Sequence, residues 1–446
     1  MKKFFGVLAM IVVGQSLVFA QSASPAPSIT AEEKEDVLKA IQRTIDQRAF
    51  VPGVDFGQWP KYVEARKADI DAATTPVAFM GQVNRAFREF GFSHIRLSFD
   101  SRRPRLNPRA TPPTEEKPTE APKLQLPTFL QTAPPTGQRL LMGVTGSFLP
   151  EGMLIETVMP GSAAAEAGLK PGELILTING EKPTSSEALA KMPAERTLSV
   201  KGTDGKVREV KLTAKMMTPT VATSETLTMV GDDTALFRVM TFSDGYSRTN
   251  VVKLLTEAKD KKFMILDLRS NGGGDASNLA HLLSHLMPEN TIYGTFVNKT
   301  MANRYKEANP EGPVTAEAIA KWTTNHLRTR KRDLPYYKGK IAVLINRGTG
   351  SAAEITAASL QETMGSKVIG TPSAGAVLAS IFMPVNNGFQ LQFPISDYVT
   401  AKGVRLEGNP VKPDVVINAR RQGTVDPVVD KALEVLRGVP AESAPK

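Results

Sequence analysis

Three segments of the 446-residue chain bring together residue types that can do chemistry. The first is Asn346-Arg347-Gly348-Thr349-Gly350-Ser351-Ala352-Ala353-Glu354, where an apolar strand gives way to a flexible turn and a serine opens a helix. A hydroxyl at such a corner gains exposure, and the amide of Ala352 points toward an oxyanion formed on attack. The Ser-x-x-Glu spacing of Ser351 and Glu354 also fits a plain capping box. The second is Asp267-Leu268-Arg269-Ser270-Asn271-Gly272-Gly273-Gly274-Asp275. Its glycines let backbone amides approach a ligand, or simply make a tight turn from strand to helix. It lacks the lysine and hydroxyl spacing of a phosphate-binding loop. The third is Phe92-Ser93-His94-Ile95-Arg96-Leu97, a histidine beside a hydroxyl on a strand edge, which serves equally as a base or as a satisfied structural residue.

These candidates stand in a chain with no cysteine and four histidines, His94, His281, His285 and His326. Without cysteine there is no disulfide framework, thiolate nucleophile, Cys-ligated zinc or iron–sulfur cluster. His281 and His285, four residues apart, could bind a metal, but no third ligand is suggested and a packed or solvated helix face is the simpler reading. His326 lies in a basic stretch and reads as surface. No metal or cofactor is expected.

The elements that must position these residues follow from periodicity. Residues 29–100 form an N-terminal helical region: Thr30 and Glu33 make a capping box, with Val37, Leu38, Ile41 and Ile45 at helical spacing behind it. Val77, Met80, Val83 and Phe87 mark a second amphipathic helix that Gly91 ends, and residues 94–99 alternate as a strand. Residues 101–137 hold nine prolines and little apolar periodicity, the composition of an extended linker. Residues 138–216 are β-rich, with short apolar runs between Gly, Pro and Asn-Gly turns, a helix from Ala163 and another after Ser185. From 217 to 419 strands and helices alternate, including Phe263-Met-Ile-Leu-Asp-Leu268 and Lys340–Ile345. This βαβ pattern predicts a mainly parallel sheet, an α/β fold. A hairpin turns at Asn386-Asn387-Gly388, and residues 420–446 supply a final helix, opened by Asp426-Pro427 and stopped at Gly438, and a tail.

The first twenty residues read as a cleavable export signal, with Lys2 and Lys3, an apolar core from Phe4 to Val13, and a small-residue site at Ala20. This predicts a periplasmic or secreted protein. No segment reads as a stable membrane span. The formal charge is +10, falling to +8 without residues 1–20, and the basic clusters at 102–109 and 328–332 are read as solvated faces rather than a nucleic-acid surface.

Taken in order, the motifs resemble the C-terminal processing and tricorn-like serine peptidases. Val158-Met-Pro-Gly161-Ser162-Ala163-Ala164 through Gly168-Leu169-Lys-Pro-Gly172-Glu173-Leu-Ile175 to Asn179-Gly180 is similar to a bacterial PDZ domain, with Ala163 where proline is usual and Glu173 where aspartate is usual. Asp267-Leu-Arg-Ser-Asn-Gly-Gly-Gly274, Ser351-Ala-Ala-Glu354 and Lys412-Pro413-Asp414-Val415 match the family's motifs in sequence order. The resemblance implies a crotonase-like α/β peptidase core with an inserted PDZ domain, acting on proteins or peptides held by their C-termini. Leu141, Met142, Gly143 and Val144 resemble the carboxylate-binding loop of such domains, and read equally as a plain strand start.

The resemblance also separates two catalytic styles. One branch pairs its serine with a lysine about 25 residues downstream; here that count lands on Ala376. The tricorn-like branch uses a histidine ahead of the PDZ domain, preceded by a serine, and a glutamate before the Pro-Asp motif. Ser93, His94 and Glu407 match that pattern. The implied assignment is Ser351 as nucleophile, His94 as base, Ser93 and Glu407 as its orienting partners, and an oxyanion hole from Ala352 with Gly273, or Gly272, as second donor. The rival expectation is an inactive PDZ scaffold on a peptidase fold.

Overall fold

The computed structural model describes residues 28–99, 139–149, 151–159, 161–170, 172–184, 189, 192–202, 204–217, 224–419 and 425–438. The expected export signal and proline-rich linker lie outside the described residues, as does most of the helix expected after Ser185.

The apolar run at 263–268 forms the Phe263–Asp267 strand at the centre of a six-stranded sheet. In spatial order the strands are Val415–Val416, Lys367–Gly370, Lys340–Ile345, Phe263–Asp267, Thr234–Val239 and Glu225–Val230. All neighbours are parallel except the last pair, because a one-turn connection at 231–233 permits only an antiparallel return. The Ala276–Leu286 and Ala352–Met364 helices pack side by side on one face, contributing Leu279, Leu282, Leu283, Ala353, Ile355 and Leu360 to one core. The Pro427–Arg437 helix covers the other face with Val428, Ala432 and Leu436. A strand buried on both faces explains the unbroken hydrophobic runs in the sequence.

A second sheet joins the N-terminal region to this core. Its longest strand, Phe389–Thr400, pairs with Arg96–Phe99, Ile292–Asn298 and Leu378–Pro384. Alternate residues Phe389, Leu391 and Phe393 point into a core built with Val37, Ile41, Ile45, Trp59, Phe79 and Phe87 of the N-terminal helices. Trp59 stacks on Phe87 at 4.9 Å, and Phe79 meets Phe389 edge-on at 5.6 Å. Truncating such an aromatic to alanine costs about 3–5 kcal/mol, so this core fixes the N-terminal helices to the sheet.

The Ala31–Arg48 helix carries the expected capping box, with Glu33 N–H to Thr30 Oγ1 at 3.1 Å and Thr30 N–H to a Glu33 carboxylate oxygen at 2.9 Å. The Pro76–Phe90 helix ends on Gly91 at φ 97°. Its buried face is Phe79, Val83, Ala86 and Phe87; Val77, expected inside, is 62% exposed because it lies one position off that stripe. The strand expected from His94 begins at Arg96, since His94 adopts a left-handed φ of 57° that breaks the extended run.

The region read as PDZ is a five-stranded antiparallel meander, Val144–Leu149, Gly152–Val158, Leu174–Ile178, Glu195–Lys201 and Val207–Thr213. It encloses its own core of Met153, Ile155, Ile175, Ile178, Leu198 and Val200.

Candidate active site

Ser351 sits between the end of the Lys340–Ile345 strand and the start of the Ala352–Met364 helix. Its backbone has φ 53° and ψ −121°, a sparsely populated conformation for a residue with a side chain. Such strain costs on the order of 1–3 kcal/mol and persists only where neighbours over-determine it. Here they do. Ser351 N–H is held by the Ala376 carbonyl at 3.0 Å and by Glu354 at 3.0 Å, and Gly350 N–H by the Asn271 carbonyl at 2.9 Å. Glu354 is fully buried and also accepts from Ser373 Oγ at 2.5 Å, Gly375 N–H at 2.7 Å and Ala376 N–H at 2.9 Å. Burial raises its carboxyl above the usual range, opposed by those donors. Glu354 thus fastens residues 373–376 beneath the serine.

The 257-residue separation between Ser351 and His94 closes to 3.2 Å, Oγ to Nε2. On its other side His94 Nδ1 lies 2.6 Å from Ser93 Oγ, which donates to Glu407 Oε2 at 2.8 Å. Glu407 is 8% exposed, not the surface-loop glutamate its sequence context suggests, and accepts also from Ser93 N–H at 2.7 Å and Val377 N–H at 2.8 Å. A hydroxyl has one proton. With Ser93 donating to the carboxylate, its oxygen must accept from Nδ1–H, which leaves Nε2 as the acceptor facing Ser351. Burial holds the His94 pKa below its ordinary value; Glu407 pulls it back up and Arg96 pushes it down. The imidazole is therefore neutral near pH 7, as a proton acceptor requires.

The glycine turn forms the facing wall. A side chain at Gly273, whose φ is 96°, would bring a Cβ within 2.6 Å of Ser351 Cβ and 2.9 Å of Ala352 N. Only glycine lets the two turns approach this closely. Gly273 N–H, expected as the favoured oxyanion donor, instead donates to Asn271 Oδ1 at 2.9 Å. Among the described residues the amides of Gly272 and Ala352 make no such bond, so these two of the expected donors are unengaged. Asn271, part of the glycine motif, has no separate role expected from the sequence. It is fully buried and donates through Nδ2 to the Val239 carbonyl at 3.0 Å as well, tying the glycine turn to the end of the Thr234–Val239 strand. Its only sequence signal is its place directly before three glycines.

The other histidines lie elsewhere. His281 and His285 are buried, meeting edge-on at 4.8 Å, with His281 bonded to Tyr246 OH at 3.0 Å. Burial lowers both pKa values, to about 3 for His281, where His285 and then Arg332 and Arg248 add to it, and to about 4 for His285, where Arg332 adds to it. His326, read as surface, is half-buried and bonded to Thr295 Oγ1 at 2.9 Å, because it packs beside the Ile292–Asn298 strand. Among the described residues no cluster of three or more His, Cys, Asp and Glu could hold a metal, and no helix is long and apolar enough to cross a membrane.

In the PDZ-like unit Met142 and Gly143 are buried, with Leu141 ending one strand and Val144 starting the next. Gly143 has φ 87°, and a Cβ there would fall 2.0 Å from Ser162 Cβ. The Val144–Leu149 strand is the edge of its sheet.

Residues 233–417 match the model of peptidase family S41, and residues 154–192 that of a PDZ domain. Similar proteins include the carboxyl-terminal-processing protease of Synechocystis sp., 26% identical over 322 residues (68% of this chain, 70% of that one). The carboxy-terminal processing protease CtpA of Bacillus subtilis is 28% identical over 272 residues (59% and 53%), and the nisin-resistance protein of Lactococcus lactis 29% over 164 residues (36% and 48%). The chain thus spans about half the length of the latter two. Among solved structures the tricorn protease superposes with a TM-score of 0.47 at 15% identity, over 91% of this chain and 37% of that one.

Proposed function

We propose that this chain, a family S41 serine protease with a PDZ domain, is an exported endopeptidase that cleaves polypeptides with a Ser351–His94–Ser93–Glu407 relay. The observation that carries the reading is the unbroken series of contacts at 3.2, 2.6 and 2.8 Å from Ser351 Oγ to Glu407.

In this reading Ser351 Oγ attacks the scissile carbonyl while His94 Nε2 takes its proton. The imidazolium that forms is stabilised by Glu407 through the Ser93 hydroxyl. The amides of Ala352 and Gly272 receive the oxyanion. His94 then gives its proton to the leaving amine, and an acyl group remains on Ser351. Water, deprotonated by the same imidazole, releases that acyl group and restores the serine. The Ala376 backbone bonds where the other branch carries its lysine do not supply a base, so the proton must travel through His94.

The PDZ domain would receive the substrate's C-terminus as an added strand on the Val144–Leu149 edge, with amides at residues 142–144 toward the carboxylate. Residues 1–20 would direct export to the periplasm or beyond.

A fluorophosphonate probe tests the chemistry. Wild type should label at Ser351 and cleave an unfolded polypeptide, and Ser351→Ala and His94→Ala should do neither. An unlabelled wild type defeats the enzyme reading in favour of an inactive scaffold; full labelling of His94→Ala defeats the assignment of the base.

A further inference from the structure

Arg96 sits two residues beyond His94, at the first position of the Arg96–Phe99 strand. It is exposed, and its guanidinium has no carboxylate or hydrogen-bond partner among the described residues. Strand register sets it in a cross-strand row with Gln392 and Phe382 on the outer face of the sheet, since Arg96 pairs with Gln392 and Gln392 with Phe382. The inner face at these strands, with Leu97, Leu391 and Phe393, is closed by the N-terminal core. The outer face is a polar shelf, where Gln392 Nε2 donates to Ser380 Oγ at 2.8 Å and Phe382 is 36% exposed. The Leu378–Pro384 strand of this shelf starts one residue after Val377, whose amide bonds Glu407. The shelf therefore runs directly out of the candidate active site.

An unpaired cation here works against the proposed base. The imidazolium formed during attack is disfavoured by a neighbouring positive charge, and Arg96 opposes protonation of His94. A carboxylate brought by the substrate would remove that opposition at the moment of reaction. We infer that Arg96 is a specificity-determining residue that receives a carboxylate of the bound polypeptide beside the scissile bond, so that acidic substrates are both held and turned over faster. The carboxylate has two sources, an Asp or Glu side chain or the free C-terminus of the chain being trimmed. This inference rests on the assignment of His94 and Ser351 above.

The test uses matched fluorogenic peptides, one carrying Glu near the cleaved bond and one Gln, each with a free and an amidated C-terminus. Wild type should favour the carboxylate at one of these two places by about three- to tenfold in kcat/KM, weakening with salt, part of it in kcat. Arg96→Gln should remove that preference, Arg96→Lys should keep part of it, and Arg96→Glu should invert it. Any amidation effect that survives in Arg96→Gln belongs to the PDZ domain. With Arg96 neutralised, the acid limb of kcat/KM should also move to higher pH for every peptide. An acid limb that moves without loss of discrimination overturns the specificity role, as does a wild type indifferent to both carboxylates. Labelling by an uncharged fluorophosphonate, retained in Arg96→Gln and lost in His94→Ala, keeps failure of this inference separate from failure of the base assignment.

Discussion

Replacing Glu407 with glutamine changes one atom's chemistry at almost constant volume. The carboxylate accepts three hydrogen bonds, from Ser93 N–H on one oxygen and from Ser93 Oγ and Val377 N–H on the other. Glutamine keeps one acceptor oxygen and brings an amide that can only donate. With the oxygen toward Ser93 N–H, the amide faces the Val377 N–H and the Ser93 hydroxyl. Ser93 must then accept from the amide and turn its own proton to His94 Nδ1. Nδ1 becomes an acceptor, the ring proton moves to Nε2, and Nε2 now points a proton at Ser351 Oγ 3.2 Å away. The opposite amide orientation keeps an acceptor for the Ser93 hydroxyl and Val377 N–H but sets its protons against Ser93 N–H, so either orientation leaves one buried backbone donor unpaired at about 1–3 kcal/mol. In the Ser-His-Asp template, the same tautomer error costs about 10⁴ in kcat. A hydroxyl that rotates at modest cost makes the penalty here smaller, on the order of 10³, or about 4 kcal/mol. The charge change has a second signature. Glu407 favours the protonated form of His94, so its loss lowers that pKa further and the acid limb of kcat/KM moves to lower pH. Peptide hydrolysis followed against pH reads both effects, with thermal melting to establish folding. A loss under tenfold in a folded variant, or an acid limb displaced upward, would refute the relay.

Gly273→Ala forces a methyl to within 2.6 Å of Ser351 Cβ and 2.8 Å of the Gly350 carbonyl, at a φ of 96° that disfavours any side chain. It should reduce fluorophosphonate labelling at least a hundredfold while lowering the melting temperature by only a few degrees; unchanged labelling would mean the two turns are not held in contact. His281 and His285 titrate at about 3 and about 4 in the folded chain against 6.5 when free. The unfolded chain therefore binds more protons below pH 6.5, and stability present above that pH is lost as pH falls toward 3, by about 2 kcal/mol for each histidine at pH 5. His285→Leu should flatten the dependence of melting temperature on pH between 7 and 4; an unaltered slope would mean these rings are solvated.

Sequence alone was sufficient for the local elements. The Thr30–Glu33 box, the Lys340–Ile345 strand, the Asn387-Gly388 turn and the Asp426-Pro427 helix start each follow from residues within a few positions of one another. Hydrophobic runs without alternation implied a sheet covered on both faces, which the helices of the core supply. Motif order singled out His94 among four histidines and Ser351 among the serines as the proposed base and nucleophile. What it lacked was any means of judging backbone conformation at single residues. Neither the left-handed turn at His94 nor the strained corner at Ser351 has a composition signal, because contacts far away in sequence enforce both. The same holds for occupancy of amides: that Gly273 N–H is taken by Asn271 while Gly272 N–H is not depends on the backbone conformation of the turn and on the burial of the Asn271 side chain. The separation of 257 residues between the paired histidine and serine is closed by the Phe389–Thr400 strand, which bonds the N-terminal strand along its edge and buries its inner face under the N-terminal helices. Residue type and spacing named the groups proposed to react. Only the packing of that strand decided that they meet, because hydrophobic burial acts on faces assembled from distant parts of the chain.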